Sequence, residues 1–379
     1  MKSFLDEVAQ EIISSKYSFE QIKIIVPSRR ATLFLKNALA AQIDQPQFAP
    51  EIVSIESFVE ELSGLEKIAH INLLYEFYEI YQNHTPEKEQ DGFDAFLGWA
   101  SIVLADFNEM DAHLVDTKVF FEYQASLHEM QEWAQEDSST PLIKNHLNFW
   151  KRLPLLYERL NDQLYNQQKG MLGMLFREAV ANLEHYTQGT EKQHFFVGFN
   201  ALNKSESQII QEFVSQEAGS VIWDIDRCFF EDGIHSAGKF IRKYYEEWSL
   251  LRGEEKPTFK DNFCQSKNIN LVGVTKNIAQ AKYAAQLAER IQEKGSDEKT
   301  AVVLGNESLL IPALSSLSVA QKKWNVTMGY PLEETTAATF FDTFLKLHSN
   351  VSKGSFYFKN LQSFFTTAWC DALFESKKI

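Results

Sequence analysis

The chain has 379 residues, 44% hydrophobic and 23% charged, enough apolar material for two or three domains with their own cores. A net charge of −15 excludes a protein coated in nucleic acid, yet leaves room for a local basic groove, because phosphate binding depends on where Lys and Arg sit. Three scattered cysteines (Cys228, Cys264, Cys370) without a CxxC give neither a disulfide framework nor a zinc spacing and point to the cytoplasm. With no signal-peptide core and no run of about 18 apolar residues, no membrane partner is expected.

Residues 1–65 read as helix, strand, helix, strand, helix and form the first part of an α/β domain. KIIVP is a continuous apolar run ending at Pro27, as a buried parallel strand would. ATLFLKNALAAQI then shows helical spacing, which places Leu33, Leu35, Ala38 and Leu39 on the inward side. Residues 66–190 change character: amphipathic helical patterns follow one another with almost no strand signal, as in an all-helical insertion. Most of the 30 phenylalanines are assigned to such helix packing rather than to base stacking. Residues 191–262 resume the first domain with HFFVGF (194–199), the helix KSESQIIQEFVSQ and SVIWDID (220–226). Asn203 or Ser205 is placed to cap that helix, with Glu206 in its first turn. A polar linker leads into residues 263–336, where INLVGV, NIAQAKYAAQLAERIQEKG, TAVVLG, ESLLIPALSSL and WNVTMGYPL suggest a second parallel sheet. Residues 337–379 read as the start of a truncated helical region, which we expect to continue in a longer protein or complex.

Several catalytic patterns are incomplete. Gly233-Ile-His-Ser-Ala-Gly238-Lys239 has part of a phosphate loop but lacks the Ser or Thr that would hold magnesium, and RCFFED separates it from the preceding strand. It is expected to be a tight turn opening the helix KFIRKYYEEW. Glu254-Glu255-Lys256 and Asp297-Glu298-Lys299 have the letters of a magnesium nuclease but not the strand placement. Asp106, Glu109 and Asp111 crowd one helix end and suit capping or inter-helix contacts better than a metal. Asp224 and Asp226 end a strand, where either a solvated turn or a functional acid fits. No catalytic residue, metal or cofactor is assigned.

Ser28, Arg29 and Arg30 carry more information. They stand where a buried strand gives way to a helix N-terminus, so amide N–H and guanidinium groups can converge on a phosphate. Ser54, Ser57 and Phe58 fall at the same sheet edge if the two strands are neighbours, and would continue a backbone-binding ledge without sequence preference.

VPSRRATLFL followed by VSIESFVEEL resembles the DNA-contacting motifs Ia and Ib of superfamily 1 helicases of the UvrD/RecB kind. More closely, it resembles the N-terminal helicase-like half of AddB/RexB-type helicase–nuclease subunits, in the form carried by Bacteroidetes. WASIVLADFNEMD, FFVGFNALNKSESQII, AGKFIRKY, INLVGVTKNIAQAKYAAQLAERI and TAVVLGNESLLIPALSSL with WNVTMGYPL follow in the same order and extend the resemblance over nearly the whole chain.

The resemblance implies two RecA-like domains, a helical insertion in the first, and a PD-(D/E)XK nuclease domain, with or without an iron–sulfur cluster, in a full-length relative. It also implies a role in processing double-strand DNA ends for recombination with a helicase partner. Three departures stand out: no leading phosphate loop, Val197 where relatives carry an acid before Gly198, and no nuclease domain within the sequence. The expected function is therefore a non-catalytic scaffold for single-stranded DNA or DNA ends, with Thr327, Gly329 and Tyr330 as the contacts on the second domain. The alternative is a protein-interaction module that docks a partner helicase subunit without touching DNA.

Overall fold

A computed structural model describes residues 3–133, 141–252, 259–293, 300–317, 324–349, 351 and 354–370. The chain divides into two compact units, Met1–Ser266 and Lys267–Ile379. The architecture is α/β, predominantly helical, with a small parallel sheet.

The first unit opens with α1 (Phe4–Ile13), capped by a reciprocal Ser3–Asp6 box. Then come β1 (Ile22–Val26), α2 (Arg29–Ala40), β2 (Glu51–Ser54) and α3 (Ile55–Ser63). After the helical insertion the chain returns as β5 (Gln193–Val197), α10 (Lys204–Ser215) and β6 (Gly219–Ile222). The four long strands lie in the order β2-β1-β5-β6, all parallel. β1 is buried along its whole length, as its apolar run requires of a central strand. One face packs Ile22, Ile24, Val26 and Val197 against Val8, Ile12, Leu35 and Leu39 of α1 and α2. The other packs Ile25 and Phe196 against Phe58 of α3 and Phe213 of α10. Growth of the sheet reverses between β1 and β5, and in open α/β sheets ligands bind outside the strand ends at such a reversal.

The insertion is closed at its base by a short parallel pairing of β3 (Glu66–Lys67) with β4 (Lys169–Gly170). Between and after them lie α4 (His70–His84), α5 (Phe93–Ala112), α6 (Thr117–Trp133), α7 (Pro141–Asn166), α8 (Leu172–Ala181) and α9 (Leu183–Gly189). Phe77, Phe96 and Trp99 meet edge-on or tilted, with ring centres 4.9–5.9 Å apart. α5 and α8 cross closely at Gly173, whose N–H donates to Asn108 Oδ1 at 2.7 Å; a Cβ there would stand 2.0 Å from the Asn108 carbonyl oxygen. Asn203 caps α10 through a box with Glu206, whereas the Ser205 hydroxyl donates to the Ala112 carbonyl at 2.8 Å and ties α10 to the insertion. The unit ends with α11 (Arg227–Glu231), α12 (Lys239–Glu247) and the segment 259–266.

The second unit contains α13 (Asn277–Glu293), α14 (Leu310–Ser316), α15 (Thr336–Ser349) and α16 (Phe358–Phe365). α15 and α16 meet through Phe340 and Phe364, 5.2 Å between ring centres. The second sheet expected from INLVGV and TAVVLG is not formed among the described residues. Both segments lack ladder pairing, and Leu271 and Val303 are 96% and 89% exposed. Apolar alternation supplies strand propensity, but a strand also needs a hydrogen-bonded neighbour.

Candidate nucleic-acid interface

The site is built where β1 stops. Pro27 follows the last paired residue and has no N–H to continue a ladder. Ser28 is extended, and its hydroxyl accepts from the Ala31 amide at 3.3 Å, starting α2. Arg29 and Arg30 are the first two helical residues; both are exposed, and neither makes an ion pair among the described residues. Their amides belong to the four that no helix satisfies internally. No acidic residue occupies this first turn, so two guanidinium groups sit at the positive end of the helix dipole. That arrangement opposes helix stability and concentrates positive potential on one spot.

The neighbouring strand ends level with β1, Val26 pairing with Ser54. Here the expectation is corrected in part. Ser54 is buried, and its hydroxyl accepts from the Ser57 amide at 3.3 Å, so it serves as the cap of α3 rather than as a ledge. Phe58 has no exposure at all: its ring lies 5.7 Å from Phe213, 6.2 Å from Phe196 and 5.3 Å from the Lys23 ammonium. Its helical position points it at the sheet, and it cannot stack on a base. Ser57 is half-buried, with its hydroxyl 3.2 Å from that of Ser54.

On the other side of the reversal, Val197 is buried and offers no carboxylate, and Gly198 turns the chain with φ +73°. Beyond β6 the edge becomes acidic. Glu7, Glu11, Trp223, Asp224, Asp226 and Lys260 help line a cleft of about 240 Å³, with Lys260 paired to Glu7. Burial, with the Glu7 charge nearby, raises the Asp224 carboxyl above its ordinary range. Asp226 caps α11. Desolvation works to raise its pKa, but N–H groups of Phe263, Cys228 and Asn262 outweigh that and hold it low.

The partial phosphate loop is closed from within. α11 intervenes between β6 and Gly233, and the Arg242 guanidinium donates to the carbonyls of Phe229, Gly233 and His235. Gly238 lies so near Phe229 that a Cβ would sit 2.1 Å from its carbonyl oxygen. A loop that turns carbonyls onto a guanidinium is not a cradle of amides for phosphate. Lys239 is exposed and lies 5.8 Å from the Phe240 ring centre.

The acids of α5 diverge. Asp106 is exposed, Glu109 is paired with His113 at 3.4 Å, and Asp111 is buried. Among the described residues no group of three His, Cys, Asp or Glu is arranged to hold a metal. Glu254-Glu255-Lys256 and Asp297-Glu298-Lys299 lie outside the described residues. Thr327, Gly329 and Tyr330 belong to the second unit and are exposed, the Tyr330 hydroxyl donating to the Glu334 carbonyl at 3.2 Å.

Sequence reading missed a charged cluster at the opposite end of the sheet. Lys23, inside the apolar run of β1, is buried between Glu51 (3.0 Å) and Glu61, with Lys192 also on Glu51 at 2.7 Å. The signal was present: a lysine within a central strand is expensive to bury unless it is paired. No helix is long and apolar enough to cross a membrane among the described residues. No protein-family model matches the chain, and neither does any curated protein.

Proposed function

We propose that the first unit is a non-catalytic, helicase-like scaffold that holds the sugar–phosphate backbone of single-stranded DNA at the carboxyl edge of its sheet. The observation that carries this reading is the placement of Arg29 and Arg30, which make no ion pair among the described residues, beside amides that the helix does not satisfy at the start of α2. Ser57 extends the surface along the neighbouring strand end. The order of motifs adds a RecA-like identity for this domain and a setting in DNA-end recombination beside a partner helicase. On the second unit the same reading assigns Thr327, Gly329 and Tyr330 to DNA by resemblance alone.

Fluorescence anisotropy with a labelled oligonucleotide, titrated at several salt concentrations, tests the assignment. Replacing Arg29 and Arg30 together by Ala removes two phosphate contacts, so the slope of log K against log salt should fall by about 1.4. An unchanged slope overturns it.

A second reading, docking of a partner protein, is favoured by one feature. Leu33, expected inward with Leu35, Ala38 and Leu39, instead lies outside their buried stripe: Leu33 and Phe34 of α2 are 58% and 48% exposed, immediately beside the arginines. Absence of DNA binding at micromolar protein and low salt supports it.

A further inference from the structure

Two of the three cysteines, far apart in sequence, are brought together at the end of the first unit. Hydrogen bonds, an ion pair and a ring contact lay residues 226–229 alongside residues 260–263. The Arg227 amide donates to the Lys260 carbonyl at 2.9 Å, and the Asn262 and Phe263 amides donate to Asp226 Oδ2 at 2.7 and 2.8 Å. The Arg227 guanidinium pairs with Asp261 at 2.7 Å, and the rings of Phe229 and Phe263 lie 4.4 Å apart. As a result Cys228 and Cys264 become neighbours in space: the Cys228 amide donates to Asp226 Oδ1 at 3.2 Å, on the carboxylate that also holds the amide of Phe263, the residue before Cys264. Cys264 is exposed, Cys228 partly so, and Cys370 is buried in the second unit.

We propose that Cys228 and Cys264 form a reversible disulfide within the folded chain, with a peroxide as oxidant. Cys264 attacks first. It is the more exposed residue, whereas partial burial and the neighbouring Asp226 push the Cys228 thiol up to about 12. The Cys264 thiol gives up its proton, the thiolate attacks one peroxide oxygen, the O–O bond breaks to leave a sulfenic acid, and the departing hydroxide takes that proton to become water. The Cys228 sulfur then attacks the sulfenic sulfur, the S–O bond breaks, and a second water leaves with the Cys228 proton. Two thiols are oxidised, one peroxide is reduced, and two waters account for its oxygens. The bond fastens the last segment of the first unit to α11, next to the cleft bounded by Asp224 and Asp226. Asp261 beside Cys264 and Asp226 beside Cys228 disfavour both thiolates, so the reaction should quicken as pH rises.

The full chain, reduced and then freed of reductant, is treated with hydrogen peroxide near pH 8 and mapped by mass spectrometry without reduction. The expected result is loss of two of the three titratable thiols, a mass decrease of about 2 Da, and a single cross-linked peptide pair containing Cys228 and Cys264, all reversed by dithiothreitol. Cys264→Ser should abolish the cross-link, and Cys370→Ser should leave it intact. A link involving Cys370, a link seen only in urea, or separate oxidation of both thiols to sulfinic acid overturns the proposal.

Discussion

The Arg177 side chain of α8 donates from Nε to the buried Asp111 carboxylate of α5 at 2.7 Å, and the Tyr157 hydroxyl of α7 reaches the same oxygen. Three helices of the insertion are thereby joined on one charge. Burial raises the Asp111 carboxyl even though Tyr157 and Arg177 both act to lower it. Arg177 also donates to the Met110 and Val115 carbonyls, closing the end of α5. Arg177→Leu should destabilise the chain by about 3–5 kcal/mol near neutral pH, because it leaves a buried carboxylate unpaired. A folded pKa above the unfolded value of about 3.9 means the penalty is small below that value and grows as pH rises through the folded one. Urea denaturation at about pH 4.5 and pH 7.5 should therefore show a larger loss at the higher pH. A loss independent of pH would refute a role for the buried charge.

Gly233 and Gly238 separate turn geometry from phosphate binding. A Cβ at Gly233 meets nothing within 4 Å, whereas at Gly238 it collides with the Phe229 backbone. Gly238→Ala should cost about 1–3 kcal/mol through forced backbone movement, and Gly233→Ala less than about 0.5 kcal/mol. Denaturant titration measures both. Equal costs would contradict the geometry. ATP turnover above background that disappears on Lys239→Ala would revive the nucleotide reading.

His194 supplies a pH signature for the sheet. It has no exposure, its Nδ1 faces the Lys192 and Ala218 carbonyls at 2.9 and 3.3 Å, and its Nε2 has no hydrogen-bond partner among the described residues. Burial is the main cause that brings its pKa down to about 4. The unfolded chain takes up the proton near pH 6.5 while the folded chain refuses it. Stability should thus be full above about pH 6.5 and decline towards pH 4, by about 3 kcal/mol over that interval. In His194→Leu this part of the slope disappears, whatever the offset caused by losing the Nδ1 bond. Matching slopes for the two proteins from chemical denaturation would rule the histidine out.

The strands of the first sheet were legible because KIIVP and HFFVGF are apolar runs that ordinary burial explains. The start of α10 was legible in Asn203, offered with Ser205 as its cap, because capping is local chemistry, whereas Ser28 and Ser54 were read as phosphate contacts and are the caps of α2 and α3. What escaped was long-range. Nothing near Asp111 announces Arg177 or Tyr157, and nothing near Cys228 announces Cys264. Phe58 was misassigned for a related reason: the sheet-edge register placed its helix correctly, but whether the ring faced solvent depended on Phe196 and Phe213, far along the chain. In the second unit, INLVGV and TAVVLG had the composition of strands but pair with no strand among the described residues.

Arg30 permits folding and binding to be pulled in opposite directions. In the first turn of α2 a positive side chain opposes the helix dipole, and a negative one would complement it. Arg30→Glu should therefore raise stability by about 0.3–1 kcal/mol, read from denaturant midpoints at low ionic strength. The same change places a carboxylate where a phosphate is proposed to sit. Affinity for single-stranded DNA should then fall at least tenfold, more steeply than for Arg30→Ala. Most residues are selected for stability where function makes no demand, so a gain in stability with a loss of binding marks a position retained for its ligand. If Arg30→Glu instead lowers stability and leaves DNA affinity unchanged, the arginine is a structural residue and the carboxyl edge of the sheet is not the DNA surface.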